Sequence, residues 1–137
     1  NIAAIKEAGG NISKIVETAA LVGDKLDIYS GNDDQTIPIM SLGGIGVISV
    51  LSNILPKVMH DICELYLNGY TQAAAELHLK HIGLMNAMFC DVNPIPVKEA
   101  MNMLGLNVGP CRMPLYPTSD ANKALLKDKL CECGFII

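Results

Sequence analysis

In the first half of the chain, short apolar runs typical of strands alternate with segments in which apolar residues recur at helical spacing. Ile2 to Lys6 is a short run rich in Ile and Ala, which is typical of a strand covered on both faces in a parallel sheet. Asn11 predicts a helix N-cap, because the residues after it are apolar at helical spacing, at positions 12, 15, 16, 19 and 20. Further strands are predicted over Leu26 to Ser30 and over Val47 to Val50.

Each of the later strands is followed by a predicted helix, the first over Gln35 to Leu42 and the second over Asn53 to Leu67. Strands that alternate with helices through short connections are typical of parallel βα units. The sequence therefore predicts an α/β fold. Three parallel strands do not close a barrel, and both edges of such a sheet are open to pairing.

The second half of the chain predicts helices only. One runs over Thr71 to Phe89, one begins at the prolines 94 and 96 and ends near Gly105, and one is capped by Ser119 and ends at Gly134. We place a boundary near Gly69. Residues 1–69 are interpreted as part of a barrel and residues 70–137 as a helical domain.

Composition narrows the class of protein. The chain has 137 residues, of which 50% are apolar and 18% charged, as in a globular domain. The net charge is −4 and the sequence has no basic stripe, so we expect no nucleic-acid partner. No apolar run approaches the roughly 20 residues that cross a bilayer, so we expect no membrane interaction.

The number and spacing of the cysteines indicate the redox environment of the protein. There are five, an odd number without C-x-x-C spacing, which is typical of free thiols in a reducing environment. We therefore expect a cytoplasmic protein. His78 and His81 share a helix face, but no third ligand has matching spacing, so no metal site is expected.

Lys6 is the leading candidate for chemistry, because it ends the first predicted strand. Function in barrels of parallel strands gathers at the carboxyl ends of the strands. A lysine with apolar neighbours there can attack a ketone and form a Schiff base. The alternative is a solvated lysine on the surface.

Two other segments are candidates for binding. "GNDD", residues 31–34, follows the second strand at the same expected edge, although Asn and Asp there are also typical of a turn and a helix cap. In "LGGIGVISV" the glycines precede a strand and no G-K-[ST] ending follows, which favours a helix-to-strand turn over a phosphate loop. Backbone groups at that strand end can still bind a small carboxylate.

Several segments, taken in order, resemble one family. The family is that of the pyruvate-dependent lyases and synthases, which include N-acetylneuraminate lyase and dihydrodipicolinate synthase. Three strand ends of these proteins are similar to "AIKEAGGN", "YSGNDD" and "LGGIGVISV". Their C-terminal helical tail is similar to "NPIPVKEAMNMLGL" and "CRMPLYP". The sialic acid lyase pattern has Glu where Asp34 stands, and this departure favours the synthase branch.

The resemblance implies a TIM (β/α)8 barrel with an appended C-terminal helical domain. This chain would supply the last three βα units of the barrel and the helical domain. The first residue is Asn and a strand-like run follows at once, so we expect a fragment whose partner is the N-terminal half of the barrel and which is inactive alone. The family also implies a homotetramer.

The resemblance further implies a reaction. Lys6 would form a Schiff base with pyruvate, the Ile48 carbonyl would lie beside it, and Gly31 and Asn32 would line the site of L-aspartate 4-semialdehyde. Their condensation gives 4-hydroxy-tetrahydrodipicolinate for lysine and diaminopimelate biosynthesis, without metal or cofactor. The proton-relay tyrosine and threonine of the family belong to the earlier half. The alternatives are another pyruvate-type aldolase, such as N-acetylneuraminate lyase, and a non-catalytic half-barrel remnant.

Overall fold

A computed structural model describes residues 1–136 of the chain. The strands and helices are β1 (Ala4–Glu7), α1 (Ile12–Val22), β2 (Asp27–Ser30), α2 (Thr36–Met40), β3 (Gly46–Val47), α3 (Pro56–Leu67), α4 (Thr71–Ala87), α5 (Ile95–Met103) and α6 (Asp120–Glu132). Short 3-10 helices cover Asp33–Gln35 and Leu51–Asn53. None of the described helices combines the length and the apolar character that crossing a membrane requires.

The chain divides into two compact units. The first contains Asn1–Ser49 and Lys57–Leu79, and the second contains Val50–Pro56 and the chain from Lys80 onward. The boundary near Gly69 stays a prediction.

The first unit is built on a three-stranded parallel sheet in the order β1-β2-β3. Helix α1 begins where predicted, because Asn11 Oδ1 accepts hydrogen bonds from the N–H groups of Ser13 and Lys14, at 3.0 and 3.4 Å. One hydrophobic cluster holds the helices to the sheet. It consists of Ile15, Ile28 and Ile39, with Ile5, Ala19, Val22 and Leu42 packed against them. Burying each isoleucine of this kind contributes about 1.5–3 kcal/mol.

The predicted burial of the first strand on both faces is wrong for this chain. Ala4 and Lys6 are exposed, whereas Ile5 and Glu7 are half-buried. The reason is the alternation of side chains along a strand: Ile5 reaches the isoleucine cluster, and its neighbours in sequence point to the other face. β1 is also an edge strand, paired with β2 alone among the described strands.

The predicted third strand over Val47 to Val50 is wrong in its extent. Only Gly46 and Val47 are paired in the sheet, opposite Tyr29 and Ser30. β2 ends at Ser30, so the residues of the chain after Val47 have no further β2 residues beside them to extend the strand. The helix predicted from Asn53 begins at Pro56 instead, since the residues before it form a 3-10 helix.

The second unit is helical. α5 packs against α6 and against the 3-10 helix Leu51–Asn53. Its buried apolar side chains are Leu51, Leu84, Met85, Met88, Ala100, Leu126 and Leu130, among others. Ser119 caps α6 as predicted, because its hydroxyl accepts a hydrogen bond from the Asn122 N–H at 3.2 Å.

A polar network holds the segment before α6 in the second unit. The Thr118 hydroxyl donates to Asp91 Oδ2 at 2.8 Å, and the Asn122 amide donates to the Thr118 oxygen at 2.9 Å. Asp91 Oδ1 accepts from the Val92 N–H at 2.7 Å. These donors favour the ionised carboxylate, so the hydrogen bonds from Thr118 and then Val92 lower the pKa of Asp91 below its ordinary value of 3.8.

The lowered pKa of Asp91 predicts an acid-sensitive contribution to stability. A carboxyl group with a depressed pKa in the folded state stabilises the fold above its ordinary pKa, and this contribution is lost as pH falls through the folded-state pKa. We expect Asp91→Asn to reduce the free energy of urea unfolding at neutral pH, and the gap to the parent to narrow below pH 3.8. Asp24→Asn, in an exposed turn, controls for loss of one carboxylate. A gap that stays constant with pH would contradict the assignment.

Candidate active site

The register of the sheet brings the candidate residues to one edge. Lys6 lies opposite Tyr29 and Glu7 opposite Ser30, while Ser30 lies opposite Val47. Because the strands are parallel, their carboxyl ends meet at the same edge. Lys6, the segment that starts at Gly31 and the residue after Val47 therefore share this edge.

The Lys6 side chain lies against the backbone of Gly31, where the absence of a Cβ atom leaves room for it. A Cβ atom at Gly31 would stand 2.8 Å from Lys6 Cε and 2.6 Å from Ala8 Cβ, both shorter than a carbon–carbon contact of about 3.5 Å. The Gly31 N–H donates to the Glu7 carbonyl at 2.6 Å. The backbone after β2 is thus held against the end of β1, with the lysine side chain across it.

Asn32 is positioned by residues that the sequence analysis did not single out. The buried Ser30 hydroxyl donates to the Asn32 carbonyl at 2.7 Å. The Asn32 amide donates to Gln35 Oε1 at 3.4 Å, and the Gln35 amide donates to the Gly10 carbonyl at 3.0 Å. Gln35 therefore links the loop after β2 to the loop after β1, at a separation of 25 residues that no local pattern signals.

Ile48 follows β3 directly instead of ending it. Its N–H donates to the Ser30 carbonyl at 2.8 Å, so the backbone pairing continues for one bond beyond the strand. The Ile48 side chain is about half exposed. The backbone of Ile48 is therefore anchored at the same edge of the sheet as Lys6.

The buried residues behind this edge carry polar groups. The carbonyl of Asp33, a residue that is 1% exposed, accepts hydrogen bonds from the Thr36 hydroxyl and from His78 Nε2, both at 2.8 Å. Since a carbonyl can only accept, the Nε2 of His78 carries the proton. His78 thus ties α4 to the loop after β2.

The glycines after α2 form the helix-to-strand turn that was predicted. Gly43 has φ of 95° and its N–H donates to the Met40 carbonyl, as in a helix C-terminus closed by a left-handed residue. A Cβ at Gly44 would lie 2.6 Å from Ile39 Cγ2. The first two glycines thus serve a tight turn between α2 and β3.

The predicted apolar surroundings of Lys6 are only partly present in the described residues. Ile2 is 77% exposed and Ala4 is exposed, whereas Ile5 is half-buried in the isoleucine cluster. What the edge does offer is an exposed amine, an amide side chain and backbone groups at three neighbouring strand ends. Such a set can bind and attack a small carbonyl compound that carries a carboxylate.

Comparison with known proteins gives consistent matches. Residues 1–132 match the model of the dihydrodipicolinate synthetase family. The 4-hydroxy-tetrahydrodipicolinate synthase of Clostridium tetani is 57% identical over 130 residues, which are 95% of this chain and 44% of that protein. The enzyme of the same name from Caldicellulosiruptor saccharolyticus is 56% identical over 137 residues, covering 100% of this chain and 46% of that protein.

Solved structures match over nearly the whole chain. Dihydrodipicolinate synthase from Thermotoga maritima superposes with a TM-score of 0.91 at 40% identity, covering 96% of this chain and 45% of that chain. The Acinetobacter baumannii enzyme, solved in complex with pyruvate, gives 0.93 at 36% identity, covering 99% of this chain and 47% of that chain. The chain therefore spans less than half the length of these relatives.

The fold and the edge together define a class, that of α/β proteins with an exposed lysine at the carboxyl ends of parallel strands. The chain belongs to the dihydrodipicolinate synthetase family. The resemblance inferred from the sequence is thereby confirmed.

The close contacts of Gly31 with Ala8 and the Glu7 carbonyl, in addition to Lys6, predict that Gly31→Ala destabilises the chain. The added methyl group overlaps Lys6 Cε and Ala8 Cβ, and overpacking of this kind costs about 1–3 kcal/mol. The measurement is the free energy of urea unfolding. Gly46→Ala is the matched control, because its Cβ would meet Tyr29 at an ordinary 3.6 Å. Equal effects of the two substitutions would contradict the packing described.

Proposed function

We propose that this chain carries the Schiff-base residue of a 4-hydroxy-tetrahydrodipicolinate synthase, which condenses pyruvate with L-aspartate 4-semialdehyde on the route to lysine and diaminopimelate. The single observation that carries the proposal is the Lys6 side chain lying across Gly31 at the carboxyl edge of the sheet. Relatives named for this activity and a relative solved with pyruvate support it.

Lys6 acts as the nucleophile. Its neutral amine attacks the keto carbon of pyruvate, and loss of water leaves a C=N bond to Nζ. The protonated imine withdraws electrons, so the adjacent methyl group releases a proton and becomes an enamine. The enamine carbon attacks the aldehyde carbon of the semialdehyde and forms the new C–C bond. The reaction needs no metal ion and no other cofactor.

The other candidate residues bind the two substrates. The Ile48 carbonyl lies beside pyruvate, on a backbone whose N–H is held by Ser30. Gly31 and Asn32 line the part of the site that receives the semialdehyde, and the Gln35 link holds Asn32 in place. Each of these roles is assigned by the family resemblance and is compatible with the contacts at the sheet edge.

In this proposal, the barrel, the helical domain and the assembly are those of the family. The three parallel strands are the last three of a TIM (β/α)8 barrel, and residues 70–137 form the appended helical domain. Since the relatives are more than twice as long as this chain, activity requires the N-terminal part of the barrel, with its proton relay. The assembled enzyme is a cytoplasmic homotetramer, and this chain is inactive alone.

A second candidate function is another pyruvate-type aldolase, such as N-acetylneuraminate lyase. It would use the same lysine with a different aldehyde, so only the residues around the second substrate separate the two. Asp34 favours the synthase, because the sialic acid lyase pattern has Glu at that position. A non-catalytic half-barrel is the third reading, and the exposed edge strand β1 favours it for the chain alone.

Reductive trapping tests the proposal. Pyruvate followed by borohydride should convert Lys6 to a secondary amine that carries the pyruvate skeleton, because reduction fixes the imine at Nζ. Intact mass and peptide mapping locate the adduct. The experiment is run on the chain alone and on the chain combined with the N-terminal half of a relative.

Lys25→Arg is the matched control for Lys6→Arg. Lys25 is an exposed lysine just before β2, at the opposite end of the sheet. We expect Lys6→Arg to abolish the adduct and Lys25→Arg to leave it unchanged. Adducts spread over many lysines, or a Lys6 adduct with no condensation of the semialdehyde in the assembled protein, would overturn the synthase assignment.

A further inference from the structure

Helix α3 carries three exposed or half-exposed side chains of the kinds that ligate metal ions, none of which belongs to the sheet edge that bears Lys6. They are His60, Asp61 and Glu64, and their ligand atoms all lie within 4.8 Å of one another. Among the residues that the structure describes, this is the one group of three or more His, Cys, Asp or Glu side chains that has this geometry. His60 and Glu64 are four residues apart and so lie on one helix face.

The separations between these atoms match those around a single metal ion. His60 Nδ1 is 3.3 Å from Asp61 Oδ1 and 3.4 Å from Glu64 Oε2. Ligands bound to Zn²⁺ at about 2.0–2.2 Å in a tetrahedron stand about 3.4 Å apart. The Asp61 and Glu64 oxygens lie within 4.8 Å of each other, so one ion reaches all three atoms once the two exposed carboxylates close on it.

We propose that His60, Asp61 and Glu64 bind a divalent transition-metal ion of the Zn²⁺ class. An imidazole nitrogen with two carboxylate oxygens favours such an ion over Mg²⁺ or Ca²⁺, which take oxygen ligands only. Three protein ligands leave one tetrahedral position open. Asp61 and Glu64 also line a surface depression of about 270 Å³, together with Asn68 and Tyr70, and this space is large enough to hold water.

The charges around the site have opposing effects. Lys57 Nζ donates to both Asp61 oxygens, at 2.9 and 2.8 Å, and its positive charge opposes a cation there. Its side chain is 85% exposed, so it can move into water at little cost. The negative charges of Asp61 and Glu64 attract a cation and act against this repulsion.

The nearby thiol of Cys63 lies on the same helix and is half-buried. It is therefore less accessible to an added ion than the exposed His60 and Glu64. The other two histidines of the chain, His78 and His81, are buried, which makes His60 the imidazole that an added ion can reach.

The test is a Zn²⁺ titration of the whole 137-residue chain, followed by calorimetry and by the imidazole nitrogen resonances. We expect one histidine of the three to shift, at Nδ1. His60→Gln and Glu64→Gln should each weaken binding by about tenfold or more, a loss of about 1.4 kcal/mol. Lys57→Met should tighten binding by about fivefold, because a repelling charge is removed.

Glu76→Gln is the matched control, since Glu76 is an exposed glutamate on α4 that pairs with Gln72 and has no histidine beside it. It removes the same charge and should leave Zn²⁺ affinity within twofold. All these positions are exposed or half-exposed, so the variants keep the fold. Co²⁺ is the second probe, because thiolate ligands would give an intense near-ultraviolet band.

Three results would overturn the proposal. The first is an affinity unchanged by His60→Gln. The second is an equal loss in Glu76→Gln, which would mean that only net charge attracts the ion. The third is a thiolate band with Co²⁺, which would assign the ion to cysteines. The gain expected from Lys57→Met cannot arise from unfolding and supports the site independently.

Discussion

The parallel pairing of β1 with β2 determines where every candidate residue lies. With Glu7 opposite Ser30, the next residue of β2 is Gly31, and its N–H reaches the Glu7 carbonyl at 2.6 Å. The Lys6 side chain then crosses Gly31 at a distance that a Cβ atom would not permit. A register shift of one residue would turn Lys6 to the other face of the sheet and bring Ile5 out of the isoleucine cluster.

Behind the exposed edge, a set of buried polar contacts holds the loop after β2. Ser30, Thr36 and His78 are buried, and each hydrogen bonds to a backbone carbonyl of that loop. Buried hydrogen bonds of this kind are costly to break, since each lost partner leaves an unsatisfied group. The loop that bears Gly31 and Asn32 is therefore rigidly supported, while the Lys6 side chain remains exposed.

Local signals predicted the helices well. Asn11 and Ser119 cap α1 and α6 as expected, because capping depends on residues three positions apart at most. Two features depend on distant contacts and could not be predicted. The Gln35 link to Gly10 spans 25 residues and the His78 link to Asp33 spans 45. A third strand was predicted but its short length was not, because that length is set by where β2 ends and not by the β-branched residues of β3.

The central claim is that Gly31 accommodates the Lys6 side chain at the position where pyruvate is bound covalently. A crystal structure of this chain combined with the N-terminal half of a relative, soaked with pyruvate, tests it most directly. The account predicts continuous density from Lys6 Nζ to the pyruvate carbon, with Cε lying over Gly31 and the Ile48 carbonyl beside the ligand. Pyruvate bound away from Lys6, or a Lys6 side chain turned away from Gly31 into solvent, would contradict it.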